Sequence, residues 1–163
     1  MMQARLKVGV VGCGLIAQVM HFHYLQELSE QFEIAALCDV SPTPRDQCAY
    51  DYQVAFTCSD WHQLLDRKLD ALLILTSGSH APIAIAALEA GLHLLVEKPM
   101  CFSLAEGHAM IAAAQRAKRV LMVAYNKRYD PAFIRFAADA RRMEDLRLVR
   151  VTTLEAPFAP YVA

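Results

Sequence analysis

Val8-Gly9-Val10-Val11-Gly12-Cys13-Gly14-Leu15-Ile16-Ala17 is the stretch that decides the fold. A short β-branched run stops at Gly12 and an amphipathic run begins near Ile16, so the glycines fall in the turn between a strand and a helix. Read this way, Gly12 permits the tight turn, Gly14 lets the backbone approach a pyrophosphate, and Ala17 is small enough for the helix to lie close to the strand. The first-turn amides of Leu15 and Ile16 point out of the helix end, where the positive end of its dipole favours phosphate. Asp39 follows Ala17 by 22 residues, at the end of a second apolar run. An acid about 20 residues on is placed to hold a ribose 2′-hydroxyl, and its charge repels a 2′-phosphate, which favours NAD over NADP. Arg45 keeps NADP open, since an arginine just past the second strand can meet that phosphate. Methyltransferases and flavoproteins use similar glycine turns, so the strand, the helix and the acid must be read together.

Working outward, short Val/Ile/Leu runs alternate with longer amphipathic segments from Leu6 to about Arg150. Strands are expected at Leu6–Val11, Glu33–Asp39, Val54–Phe56, Asp70–Thr76, His93–Glu97 and Val120–Ala124. Helices are expected at Ile16–Ser29, Thr43–Tyr50, Asp60–Leu65, His80–Ala90, Leu104–Ala117 and Pro131–Met143, with Ser79 and Ser103 as N-caps and Gly91 as a C-cap. Ala71-Leu72-Leu73-Ile74-Leu75 shows no polar alternation, as a strand covered on both faces requires. The fold class is therefore α/β, a doubly wound parallel sheet in three layers, α/β/α. A different texture begins at Leu146. Residues 147–155 mix charged and β-branched side chains like a half-exposed strand, followed by Pro157 and Pro160. We expect a dinucleotide-binding domain over 1–145 and, over 146–163, the opening strand of a further domain. An uncovered strand edge of this kind also invites pairing with a second copy of the chain.

Composition narrows the function. Of 163 residues, 56% are hydrophobic and 20% charged, enough apolar material for a sizeable core. Sixteen Lys and Arg against seventeen Asp and Glu create no field that would hold a nucleic-acid backbone or an anionic membrane. The expected partner is a small molecule. The N-terminus lacks the pattern of a signal peptide, no apolar run approaches the roughly 20 residues that span a bilayer, and we expect a cytoplasmic protein. Five cysteines, with no Cys-x-x-Cys, signal neither a disulfide framework nor a metal site. Cys13 lies where a helix N-terminus would lower a thiol's pKa, but it reads first as a small residue tolerated by the tight turn. His21 and His23, two apart on a helix, point to different faces and read as surface or packing residues. Trp61 reads as core.

In an open α/β sheet the ligand lies outside the carboxyl ends of the strands. The polar residues there are Gly12, Asp39, the turn Thr76-Ser77-Gly78-Ser79-His80, Glu97-Lys98-Pro99, and Tyr125-Asn126-Lys127-Arg128. Two of these segments carry a resemblance. The run from Leu73 through Ala87-Leu88-Glu89-Ala90-Gly91 to Glu97-Lys98-Pro99, together with Tyr125 to Pro131, is similar to the Gfo/Idh/MocA family of NAD(P)-dependent sugar oxidoreductases. The resemblance implies a Rossmann cofactor domain that transfers hydride between a nicotinamide and a sugar or cyclitol hydroxyl. It implies Lys98 as the catalytic residue beside the nicotinamide and the substrate hydroxyl. Glu97 would lie near the nicotinamide ribose, Asn126 and Arg128 at the same end, and the Lys98–Pro99 bond would often be cis. Thr76, Ser77 and His80 are expected to contact the cofactor, although many members have Thr-Pro-Asn where this chain has Thr76-Ser77-Gly78. The family's second domain is absent from these residues, so the chain is expected to bind NAD and to turn over no substrate. A stand-alone NAD(H)-sensing module without catalysis is the alternative.

Overall fold

The computed structural model describes residues 4–152. One compact unit runs to Tyr125 and a second begins at Asn126. In the first, β1 (Leu6–Val11), β2 (Phe32–Cys38), β3 (Thr57–Cys58), β4 (Ala71–Ile74), β5 (His93–Val96) and β6 (Leu121–Val123) form one sheet in the order β3-β2-β1-β4-β5-β6. Every pairing is parallel. The chain moves outward from β1 to β3, then crosses back and continues on the other side of β1, which makes the β1/β4 junction the switch point of a doubly wound sheet.

Side chains one residue apart on a strand face opposite ways, and here both ways lead into apolar cover. Val8, Val10, Leu37, Leu73 and Leu75 join Phe22 and Cys48 in one core. Val11, Leu72, Ile74 and Val96 join Leu64, Leu88 and Met110 in the other. Phe22 belongs to α1 (Phe22–Glu27) and Cys48 to α2 (Pro42–Asp51), while the second core is covered by α3 (His62–Leu65), α4 (Ala81–Glu89) and α5 (Leu104–Ala117). The three-layer arrangement expected from the unalternated strands is present.

Local chemistry sets the element ends. Ser103 caps α5: its hydroxyl accepts from the Glu106 amide at 3.2 Å and the Glu106 carboxylate accepts from the Ser103 amide at 3.1 Å. Gly91 takes φ +87° just past α4, where the left-handed turn ends the helix. Three expectations shift. Strand pairing at β3 begins at Thr57 rather than Val54, because the Val54 amide is bound to the Ala49 carbonyl at 2.9 Å in closing α2. The residue before α4 is His80, which makes no side-chain cap bond; the Ser79 hydroxyl accepts from the Ala81 amide at 3.4 Å and donates to Glu106 at 2.7 Å. The helix after the glycine turn begins at residue 15 and widens at once into a π-helical turn, Ala17–His21, that no residue pattern announced.

In the second unit a 3-10 turn, Asn126–Tyr129, leads into α6 (Pro131–Ala140), whose N-cap Asp130 accepts from the Ala132 amide at 2.9 Å. α6 packs with this preceding turn. Of the strand expected over 147–155, residues 147–152 have no strand pairing and 153–155 lie outside the described residues. No helix among the described residues is long and apolar enough to cross a membrane.

Leu72 is fully buried on β4 between β1 and β5. Replacing it with alanine leaves a cavity in a close-packed layer, and the expected loss is about 2–5 kcal/mol in urea unfolding. A loss below about 1 kcal/mol would show that this layer is not the rigid centre of the sheet.

Candidate functional site

Cys58, Cys38, Val11, Ile74, Val96 and Val123 stand in one register row across all six strands. The ladder continues for one further step. Asp39, Gly12, Leu75, Glu97 and Ala124 each donate an amide hydrogen bond to the row residue of a neighbouring strand, at 2.8–3.1 Å. The strands therefore end at one level, and Asp39, Gly12 and Glu97 share it.

At this level the chain turns from β1 against the end of β4. Gly12 has φ +100°, and a Cβ there would lie 2.9 Å from the Leu75 carbonyl carbon and the Thr76 nitrogen, so no side chain fits. Gly14 faces the other way, with nothing within 4 Å of where its Cβ would be. Asp39 binds the turn directly. Its Oδ2 accepts from the Cys13 amide at 2.7 Å and its Oδ1 from the Ser41 amide at 2.8 Å. An ionised carboxylate has about four acceptor positions, so capacity remains for hydroxyl donors. A cavity of about 470 Å³ opens beside it, lined by Gly12, Gly14, Asp39, Ser41, Trp61, Thr76 and Ser77. Open space at Gly14, a carboxylate in the wall, and the helix beginning at residue 15 fit a dinucleotide's phosphates and adenosine ribose.

Cys13 is a buried packing residue rather than an activated thiol. Although it lies in the glycine turn, the thiol is fully buried and its pKa is pushed up to about 12, first by desolvation and then by Cys48 and Asp39 nearby. Burial overrides the helix dipole. Arg45 is engaged locally, with Nε donating to Asp46 at 2.8 Å and Nη1 reaching the Asp39 carbonyl at 3.4 Å. Trp61 packs against the core as expected, and it also forms part of the cavity wall.

Beyond the switch point lies the second cluster. Glu97, 8% exposed, follows β5 and accepts from the Lys98 amide at 3.0 Å. Lys98 is exposed and has no ion pair among the described residues. The Lys98–Pro99 bond is cis, as the resemblance implies. His80 is 2% exposed, with Nδ1 at 2.9 Å from the Pro99 carbonyl and Nε2 at 2.7 Å from the Thr76 carbonyl. It lies between the loop after β4 and the turn after β5, with each ring nitrogen facing a backbone carbonyl. Glu106 adds a second tie: it accepts from Ser79, Phe102 and Ser103, and these bonds hold its carboxyl below the usual carboxylate range. Asn126 and Arg128 lie exposed on the 3-10 turn of the second unit. Sequence reasoning missed His21, whose Nε2 lies 2.8 Å from Glu97 Oε1. With the partners 76 residues apart, no local spacing could have signalled the pair.

Residues 6–125 match the Gfo/Idh/MocA family, an oxidoreductase family with an NAD-binding Rossmann fold. The chain belongs to that family. It is 33% identical to the inositol 2-dehydrogenase of Salmonella typhimurium strain LT2 over 134 residues, covering 79% of this chain and 39% of the relative. The crystal structure of the WlbA dehydrogenase from Bordetella pertussis, in complex with NADH and UDP-GlcNAcA, superposes with a TM-score of 0.78 at 26% identity, over 86% of this chain and 44% of that one. An Agrobacterium radiobacter oxidoreductase in complex with NAD+, L-tartaric acid and magnesium gives 0.73 at 27% identity, over 77% and 37%. This Gfo/Idh/MocA chain thus spans about two fifths of the length of these relatives. Its cofactor is NAD.

Trp61 is the sole tryptophan, so intrinsic fluorescence reports on this wall alone. Saturating NAD should quench it; unchanged emission would remove Trp61 from the site. Four of the five cysteines are buried and only Cys101 is partly exposed. A disulfide reagent at neutral pH should therefore titrate about one thiol rapidly in the native chain and all five in denaturant. Fast modification of two or more would contradict the buried placement.

Proposed function

We propose that the protein carrying this chain is an NAD-dependent dehydrogenase acting on a secondary hydroxyl of a sugar or cyclitol, and that this chain is its cofactor-binding part. The observation that carries the reading is the common level of the glycine turn, Asp39 and Glu97-Lys98 across adjoining strand ends. The first group fits the adenosine half of a dinucleotide, and the second offers an exposed amine on the far side of the switch point. Bound NAD supplies the hydride acceptor. Lys98 takes the proton of the substrate hydroxyl as its carbon gives up hydride and becomes a carbonyl; in the reverse direction it returns that proton. Its backbone is held by Glu97, so the amine is carried by an ordered turn rather than a free loop. The inositol 2-dehydrogenases among the relatives, and the sugar-nucleotide complex of WlbA, support a polyhydroxylated ring as substrate.

NAD is preferred to NADP in this reading. The Asp39 carboxylate opposes a 2′-phosphate, and Arg45, which could have met one, is paired with Asp46. A further domain of the protein supplies the substrate platform, so the isolated chain binds cofactor and turns over no substrate.

Calorimetry should show NAD binding at least about tenfold tighter than NADP, a difference of about 1.4 kcal/mol. Lys98→Met should leave the NAD affinity of the chain within about threefold and, in the full-length protein, lower kcat by about 10²-fold or more on the responsive sugar or cyclitol. Unchanged turnover would remove Lys98 from proton transfer, and equal binding of NAD and NADP would remove Asp39 from selection.

A further inference from the structure

We propose that His21 is a positioning residue for the nicotinamide end of the site, acting through Glu97. The inference rests on the reading of Glu97-Lys98 as that end. Three observations meet at this residue. His21 closes the π-helical turn Ala17–His21, in which the Phe22 amide bonds to the Ala17 carbonyl rather than to the carbonyl of residue 18. Each residue of a helix turns its successor by about 100°, so a one-residue widening rotates everything after it relative to the glycine turn. The side chain delivered by that rotation is His21, and it faces the end of β5. Its Nε2 lies 2.8 Å from Glu97 Oε1, with His21 and Glu97 side chains 15% and 10% exposed. The other carboxylate oxygen, Oε2, accepts from the Lys98 amide at 3.0 Å.

Glu97 is thus held at both oxygens, by the first helix on one side and by its own turn on the other. A carboxylate at this depth needs donors to remain where it is, and a fixed ring nitrogen supplies one. The consequence is that the element carrying the phosphate-binding turn also sets the orientation of the group beside the nicotinamide ribose. Ala17, at the near end of the π turn, is packed in the core with no exposed surface. The two halves of the dinucleotide site are coupled through His21 rather than only through the sheet.

The test uses this chain and two probes, NADH and ADP-ribose, the second lacking nicotinamide. His21→Leu removes the ring nitrogen; His21→Gln places an amide nitrogen near the position of Nε2. Calorimetry should show His21→Leu weakening NADH by about tenfold, the scale of a lost charge-assisted hydrogen bond, with ADP-ribose within about twofold of the parent. His21→Gln should restore NADH binding to within about threefold of the parent. If His21→Leu does not fold, His21→Asn, too short to reach Glu97, should show the same selective loss. Equal weakening of both probes, or no weakening of either, overturns the proposal. A parent chain that binds ADP-ribose as tightly as NADH instead refutes the nicotinamide reading of Glu97-Lys98, and the His21 proposal falls with it.

Discussion

The constraint on which the site depends is the common register of the parallel ladder. With Cys38, Val11, Ile74 and Val96 in one row, and Asp39, Gly12, Leu75 and Glu97 adding one last step of the ladder, the β1, β2, β4 and β5 strands end together. Parallel strands all point the same way, so every turn of this kind falls on one edge of the sheet. Gly12 follows from that geometry. The β1 turn passes so close to the end of β4 that a single Cβ would collide with backbone that cannot move aside. The residue that begins the glycine turn is therefore the one that lets the two central strands end level.

Polar groups at this edge are held chiefly by backbone. Asp39 is fixed by the Cys13 and Ser41 amides, His80 faces two carbonyls, and Glu97 accepts from the Lys98 amide. Two of these bonds join a loop to its neighbour, Asp39 to the β1 turn and His80 to the β5 turn, and the other three are local. The Lys98 amine stays exposed, and the cavity beside Gly14 stays open. Buried groups held in this way are costly to leave unpaired, which keeps the loops in one arrangement before any ligand arrives.

Much of this is legible in the residues alone. The strand positions of β1, β2 and β5, the capping serine at Ser103, the turn at Gly12 and the candidate acid Asp39 each depend on neighbours within a few residues, and local chemistry is enough to read them. The start of β3 is not, because the Val54 amide closes the preceding helix, a competition that apolar content does not reveal. Nor is the state of Cys13, where a helix end and a buried core act in opposite senses and only the packing shows that desolvation prevails.

The sequence by itself determined the alternation of strands and helices, the two-sided apolar cover of the sheet, and the glycine turn with its acid, since these rest on periodicity and on backbone freedom at single positions. The tertiary structure alone decided which distant residues meet. His21 reaches Glu97, Ser79 reaches Glu106, and Trp61 enters the wall of a cavity floored by the glycine turn. The physical reason is that such contacts follow from strand order, register and helix phase. A one-residue change in any of these would aim the same side chains elsewhere, with no trace in the local sequence.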